Sequence, residues 1–135
     1  MSITCTYGDL DRLRDAPSRQ GPLTKLMSAT EPSLVDKFRI VRLAKEVDHE
    51  LETYGKFLVE LGKKYGDPVK INGKPSWQIR PDEQENYLAE KAKIDADPCE
   101  LLVSPLPASS YEKVPLTATD LMLLGPFIVT PPENP

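Results

Sequence analysis

The sequence is short of the residues that active-site chemistry draws on. It has one histidine, His49, and two cysteines, Cys5 and Cys99, that stand far apart. It contains no Gly-rich phosphate loop, no Cys-x-x-Cys pair and no His-Glu-x-x-His motif, so the usual carriers of phosphate binding, thiol redox work and zinc-assisted hydrolysis are missing. A nucleophilic triad fails on the same inventory, because no Ser or Cys is set beside the single His by a recognisable pattern. The chain is therefore expected not to be an enzyme and to carry no cofactor. A surplus of positive charge is also missing. Seventeen Lys and Arg stand against 21 Asp and Glu, a formal net charge of −4. A chain whose main partner is nucleic acid needs the opposite balance. Arg12, Arg14, Arg19 and Lys25 form a local basic cluster, but Asp9, Asp11 and Asp15 interleave with it, which describes a solvated helix face. No apolar run exceeds a few residues, so no membrane span is expected. Met1–Thr6 lacks the basic region and apolar stretch of a secretory leader, so the expected setting is not secretory. Two cysteines in that setting read as a reduced pair, with a disulfide as the alternative.

Proline, by contrast, is abundant: fourteen among 135 residues, about twice the usual ~5%. The prolines avoid the stretch 33–65 entirely and gather in its flanks, above all after Pro98 and in the tail Pro131–Pro135. That distribution describes a body with stiffened, extended arms suited to lying across a neighbouring surface. A length of 135 residues, with 28% charged and 39% apolar residues, suits one domain with its own core. The domain is expected over 1–130, followed by a Pro-rich tail at 131–135.

The middle of the chain carries the strongest pattern. From Ser33 to Tyr65, Ile40, Ala44, Val47, Leu51, Tyr54, Leu58, Leu61 and Tyr65 recur at alternating four- and three-residue steps, which places them on one stripe of a single long helix. Some thirty residues at about 1.5 Å each make a rod roughly 45–50 Å long. A domain of this size has no need of such a rod, so it is expected to present side chains to a partner. Ser33 with Asp36 has the form of a capping box at its start, and Gly66-Asp67-Pro68 stops it. Ala44, Leu51, Leu58 and Tyr65 alternating with Val47, Tyr54 and Leu61 form a heptad pattern, the kind that lets helices interlock. Leu43, Glu50, Phe57 and Lys64 border this stripe on one side, and Phe57 widens it. Gly55 and Gly62 lie on the other side, each costing about 1 kcal/mol in a helix relative to Ala, which suggests a close approach by another backbone. Two uses of the stripe stay open: packing on the chain's own shorter helices, or self-association and docking.

The flanking elements follow from local signals. Thr6-Tyr7-Gly8-Asp9 has the form of a second capping box and opens a short helix ended by Pro17, after which 18–30 reads as a loop. Asn72-Gly73 between Val69/Ile71 and Trp77/Ile79 predicts a hairpin over 69–79. Pro81-Asp82-Glu83 opens a helix to about 94 with a weak apolar face of Tyr87, Leu88 and Ala92. Cys99–Val103 reads as a short strand, and Thr117–Asp120 caps a short helix over 118–124. The fold expected is mainly α: a long central helix packed by shorter helices, with one small β-hairpin and Pro-rich arms.

Glu46-x-x-His49 has the spacing of half a carboxylate-bridged di-iron site. A second copy of the motif and two further acids are needed, and only a symmetric dimer supplies another histidine. Glu46, Asp48, Glu50 and Glu52 also form an ordinary charged face, so no metal is expected. The residues expected to meet a protein partner are Val47, Leu51, Tyr54, Phe57, Leu58, Leu61, Trp77 and Phe127, with Trp77 the natural anchor if exposed.

The order of these elements resembles a loose group of small, functionally uncharacterised proteins of tailed bacteriophages. The likeness runs from Tyr7–Leu13 through Phe38–Tyr54, Lys64-Tyr65-Gly66, the Asn72-Gly73 turn and the acidic helix Pro81–Lys93 to Leu116–Ile128. It rests on pattern and carries no catalytic residue. It implies a phage origin, a location in the virion or the host cytoplasm, and a role in virion structure or assembly through contacts with itself or other phage proteins. The alternative it implies is a small inhibitor that binds a host enzyme or defence protein.

Overall fold

A computed structural model of the chain describes residues 2–14 and 21–129. In chain order these form β1 (Ile3–Thr6), α1 (Tyr7–Arg14), α2 (Pro22–Ser28), α3 (Leu34–Tyr65), β2 (Gly66–Ile71), β3 (Lys74–Ile79), α4 (Gln84–Asp95), β4 (Pro98–Leu101) and α5 (Ala118–Leu124). Single 3-10 turns lie at Pro81–Glu83, Ala108–Ser110 and Gly125–Phe127. The architecture is mainly helical, with α3 at the centre, shorter helices packed on it and two small antiparallel sheets.

The capping signals place the helix starts. Thr6 Oγ1 accepts from the Asp9 amide at 3.2 Å while the Asp9 carboxylate accepts from the Thr6 amide at 3.0 Å. Thr117 and Asp120 make the same reciprocal pair at α5. At α3 only half of the expected box forms: Ser33 Oγ accepts from the Asp36 amide at 3.2 Å. The Asp36 carboxylate instead accepts from the hydroxyls of Ser33, Ser109 and Ser110. It thereby ties the first turn of α3 to the 3-10 turn at 108–110.

At the far end of α3 the chain departs from expectation. Gly66 is extended (φ −129) rather than left-handed, so the helix runs straight into a strand and the hairpin begins at 66 instead of 69. Pro68 lies within β2, opposite Trp77. Asn72 and Gly73 both have positive φ, 52 and 78, the geometry of a two-residue hairpin turn that follows the strand twist.

Three other expectations need correction. The stretch read as a loop contains α2, where Pro22 opens the helix and Leu23 and Leu26, three apart, are both buried. Ile3–Thr6, which gave no strand signal, pairs with Pro98–Leu101 and sets Cys5 opposite Cys99; four residues are too few for a pattern. The segment after Pro98 is no extended arm over its described length. Leu106, Val114 and Phe127 are buried in the core, and Leu106 is locked beside Ile128 by two backbone hydrogen bonds of 2.8 Å. Pro17 and the tail 131–135 lie outside the described residues.

The core gathers Ile3 and Leu101 from the β1–β4 sheet, Leu10 and Leu13 from α1, Leu23 and Leu26 from α2, and Ile40, Leu43 and Val47 from α3, closed by Leu124 and Phe127. Burying each such side chain contributes about 1.5–3 kcal/mol. All of it lies on one side of the first half of α3. The second half of α3 is covered by α4 and the hairpin instead.

Candidate interaction surfaces

The apolar stripe of α3 faces inward along its whole length. Val47, Tyr54 and Leu61 are buried, Leu51 and Leu58 are half-buried, and Phe127 is fully enclosed. In the folded chain Val47, Leu61 and Phe127 are therefore covered by the chain itself, and Tyr54, 3% exposed, only lines a small cleft. Phe57, just off the stripe, is 54% exposed. Trp77 is half-buried: its indole lies on Gly62, where an added Cβ would stand 2.6 Å from Trp77 Cγ and Cδ1. The close approach expected at the two glycines thus exists at Gly62, made by a side chain of the chain's own hairpin. At Gly55 no atom lies within 4 Å of such a Cβ.

The apolar surface that the fold leaves open lies elsewhere. Leu34, Val35 and Phe38 are 83%, 62% and 64% exposed, and Val41 joins them. Leu34, Phe38 and Val41 follow i, i+4, i+7 spacing, so they form one stripe on the side of α3 that points away from the core. Its backbone is held by the Ser33 cap and by the Asp36–Ser109–Ser110 hydrogen bonds, so the patch rides on a rigid helix. Burial disfavours the charge on Asp36, but hydrogen bonds from Ser109, Ser33 and Ser110 and the nearby Arg39 outweigh it and hold the carboxyl below its ordinary range. The anchor is therefore ionised at neutral pH. Arg39 and Arg42 extend this surface into a groove of about 520 Å³ that also takes in Leu102, itself 73% exposed. These residues escaped notice in the sequence because they fall off the heptad phase. The signal was there: apolar side chains on the face of an amphipathic helix that should be polar.

A second cluster lies between α1, α3 and α4. Tyr7 and Tyr54 stack with centroids 6.1 Å apart and rings 9° from parallel. The Tyr7 hydroxyl donates to Glu50 at 3.0 Å and that of Tyr54 to Asp95 at 2.5 Å, while Lys91 pairs with Asp95 at 2.9 Å. Beside them Phe57, Ile94, Lys93 and Asp97 complete a cleft of about 240 Å³. Cys5 and Cys99 are free and buried behind it, the Cys5 thiol directed to the Cys99 carbonyl at 3.6 Å. Burial pushes the Cys5 thiol up to about 12 and the Cys99 thiol to about 11, with neighbouring negative groups adding to it. Burial and the carboxylate hydrogen bonds raise Tyr7 and Tyr54 to about 12. All four stay protonated at neutral pH, which makes the thiols poor nucleophiles. The cluster is a polar seam that fixes α1 and α4 on α3.

His49 is exposed and Glu46 half-buried on the outer flank of α3. Among the described residues no three His, Cys, Asp or Glu side chains gather as a metal site, and no helix is long and apolar enough to cross a membrane. Comparison of the chain with protein-family models, with curated proteins and with solved structures finds no match.

Proposed function

We propose that the chain is a non-enzymatic protein-interaction component, a bacteriophage virion structural or assembly protein, that docks through the outer face of α3. The observation that carries this is the open patch of Leu34, Val35, Phe38 and Val41 on a helix whose other face already fills the core. Four large apolar side chains held together in water amount to on the order of 400 Å², a scale at which the largest patch of a monomer is often functional. The phage setting rests on the likeness in element order described above. Mass spectrometry of purified virions tests it: the chain should be present at stoichiometric level, and Phe38→Glu should abolish its incorporation while leaving the fold intact by circular dichroism. Absence of wild-type chain from virions removes the structural role. Normal incorporation of Phe38→Glu removes this face from it.

The cleft beside Phe57 favours a second reading, a small inhibitor of a host protein, because it is sized to seat one partner side chain. A stable 1:1 complex recovered from infected cells, lost on Phe57→Glu, would support that reading over the first.

A further inference from the structure

We propose that copies of this chain associate head to tail, the outer face of α3 in one copy receiving the outer face of α4 from the next. This deepens the docking role proposed above and rests on it.

Charge selects the occupant. Between Lys37 and Lys45 the sequence carries Lys37, Arg39, Arg42 and Lys45 and no acid. Arg39 is spoken for by Asp36 at 3.4 Å, but among the described residues Lys37, Arg42 and Lys45 make no ion pair. The patch is therefore apolar with a basic rim on a chain whose net charge is −4. A two-fold contact of this patch with its own copy would set that rim against itself, and like charges brought together across an interface are strongly disfavoured.

The complement is on the same chain. α4 turns Tyr87, Glu90, Ile94 and Asp95 toward α3 and leaves Glu85, Leu88, Ala89 and Ala92 exposed, with Leu88 at 60%. Asp82 precedes this face in the 3-10 turn, and neither Asp82 nor Glu85 has an ion pair among the described residues. One large apolar side chain, two alanines that let a helix approach closely, and an acidic end make the mirror of the α3 patch: Leu88 faces the Phe38 ridge and the acids face Arg42 and Lys45.

The two faces cannot meet within one molecule. α4 runs back along the second half of α3, with Glu90 at Tyr65 (2.7 Å) and Asp95 at Tyr54. Leu88 thus lies near the end of α3, some 25 residues from Phe38, or about 40 Å along the rod at 1.5 Å per residue. A contact between unlike patches at opposite ends is heterologous, so it adds copies into a ring or filament instead of closing at a dimer.

Sedimentation of the full chain over a concentration series tests this directly. Wild type should grow in mass beyond twice its 15.1 kDa as concentration rises, and high salt should weaken the association. Phe38→Glu and Leu88→Glu, both at exposed positions, should each block growth. Mixed in equal amounts they should form a heterodimer and stop, since each keeps the face the other has lost. Arg42→Glu should weaken association, and Glu85→Arg in the same chain should restore it. A wild type that stays monomeric at every concentration overturns the head-to-tail contact, yet leaves the docking role to be decided by the virion experiment. A dimer that ignores Leu88→Glu overturns it too, in favour of a two-fold contact.

Discussion

Gly55 and Gly62 lie two turns apart in α3 and look equivalent in sequence, yet alanine should act on them with opposite sign. Removing a glycine from a helix interior gains about 1 kcal/mol at either position through the lower entropy of the unfolded chain. At Gly55 nothing lies within 4 Å of the new Cβ, so the full gain remains and Gly55→Ala should stabilise by about 0.5–1 kcal/mol. At Gly62 the new Cβ would stand 2.6 Å from two ring carbons of Trp77 and 2.9 Å from its Cβ. Those atoms are at the root of the side chain, so the hairpin itself has to shift. Overpacking of this kind costs about 1–3 kcal/mol, which exceeds the propensity gain. Gly62→Ala should therefore destabilise by about 1 kcal/mol, a separation of about 2 kcal/mol between the two variants. For a chain of 135 residues that is a gap in Tm of several degrees, about 4 °C per kcal/mol.

Urea or thermal unfolding of both variants measures the gap, and a third chain assigns its cause. In a Trp77→Gly background all three atoms that crowd the new Cβ are gone, and Gly62→Ala should become stabilising, like Gly55→Ala. If Gly62→Ala proves as stabilising as Gly55→Ala in the wild-type chain, or stays destabilising once Trp77 is truncated, the packing of the hairpin on Gly62 is not what sets the sign.

Three further outcomes are expected. Asp120→Ala removes the α5 capping box and leaves Lys25, which it holds at 2.6 Å, without its partner; it should cost about 2 kcal/mol by urea unfolding, against a few tenths for Asp82→Ala at the exposed start of the 3-10 turn before α4. Tyr7, Tyr54, Cys5 and Cys99 have folded-state pKa values of about 12, 12, 12 and 11, above those of the unfolded chain. The stability they contribute is thus present below about pH 9 and lost as pH rises through 11–12, visible as alkaline unfolding that Tyr7→Phe delays. The same burial should keep both thiols unreactive toward a disulfide reagent at neutral pH until the chain is unfolded in urea, and rapid native-state labelling of either would contradict the packing of β1 against β4.

What the sequence made legible was local. Ser33, Thr117 and the Thr6/Asp9 pair start their helices because a short polar side chain reaches its own backbone, and the Asn72-Gly73 turn forms because both residues tolerate positive φ. Signals of this range do not depend on the rest of the fold. β1 was illegible because its pairing with β4 is made across more than ninety residues, and nothing within Ile3–Thr6 announces it. α2 was hidden by Gly21 and Pro22, which break structure in general but here serve as cap and first turn. Among the eight residues expected at an interface, Phe57 alone is exposed, because periodicity reports which side chains share a face and not whether that face meets its own chain or another.

That distinction rests on counting faces. A helix that only supports its own domain needs one apolar stripe, and α3 supplies it from Ile40 to Tyr65. In its first two turns the helix is apolar on the opposite side as well, where Leu34, Val35, Phe38 and Val41 leave much of their surface in water and add risk of aggregation. A similar excess recurs on α4, where Leu88 points outward although Tyr87 and Ile94 already pack toward α3. Each surplus lies beside charges that make no ion pair among the described residues: Lys37, Arg42 and Lys45 on α3, Asp82 and Glu85 at the start of α4. Stability of the single chain explains neither feature, whereas contact between copies explains both with one interface. Replacing Leu34, Phe38 and Leu88 together by polar residues should therefore move Tm by no more than about 6 °C, since each exposed substitution shifts stability by at most about 0.5 kcal/mol and each kcal/mol is worth about 4 °C here. A large fall in Tm would place these side chains in the core and end the case for an outward role.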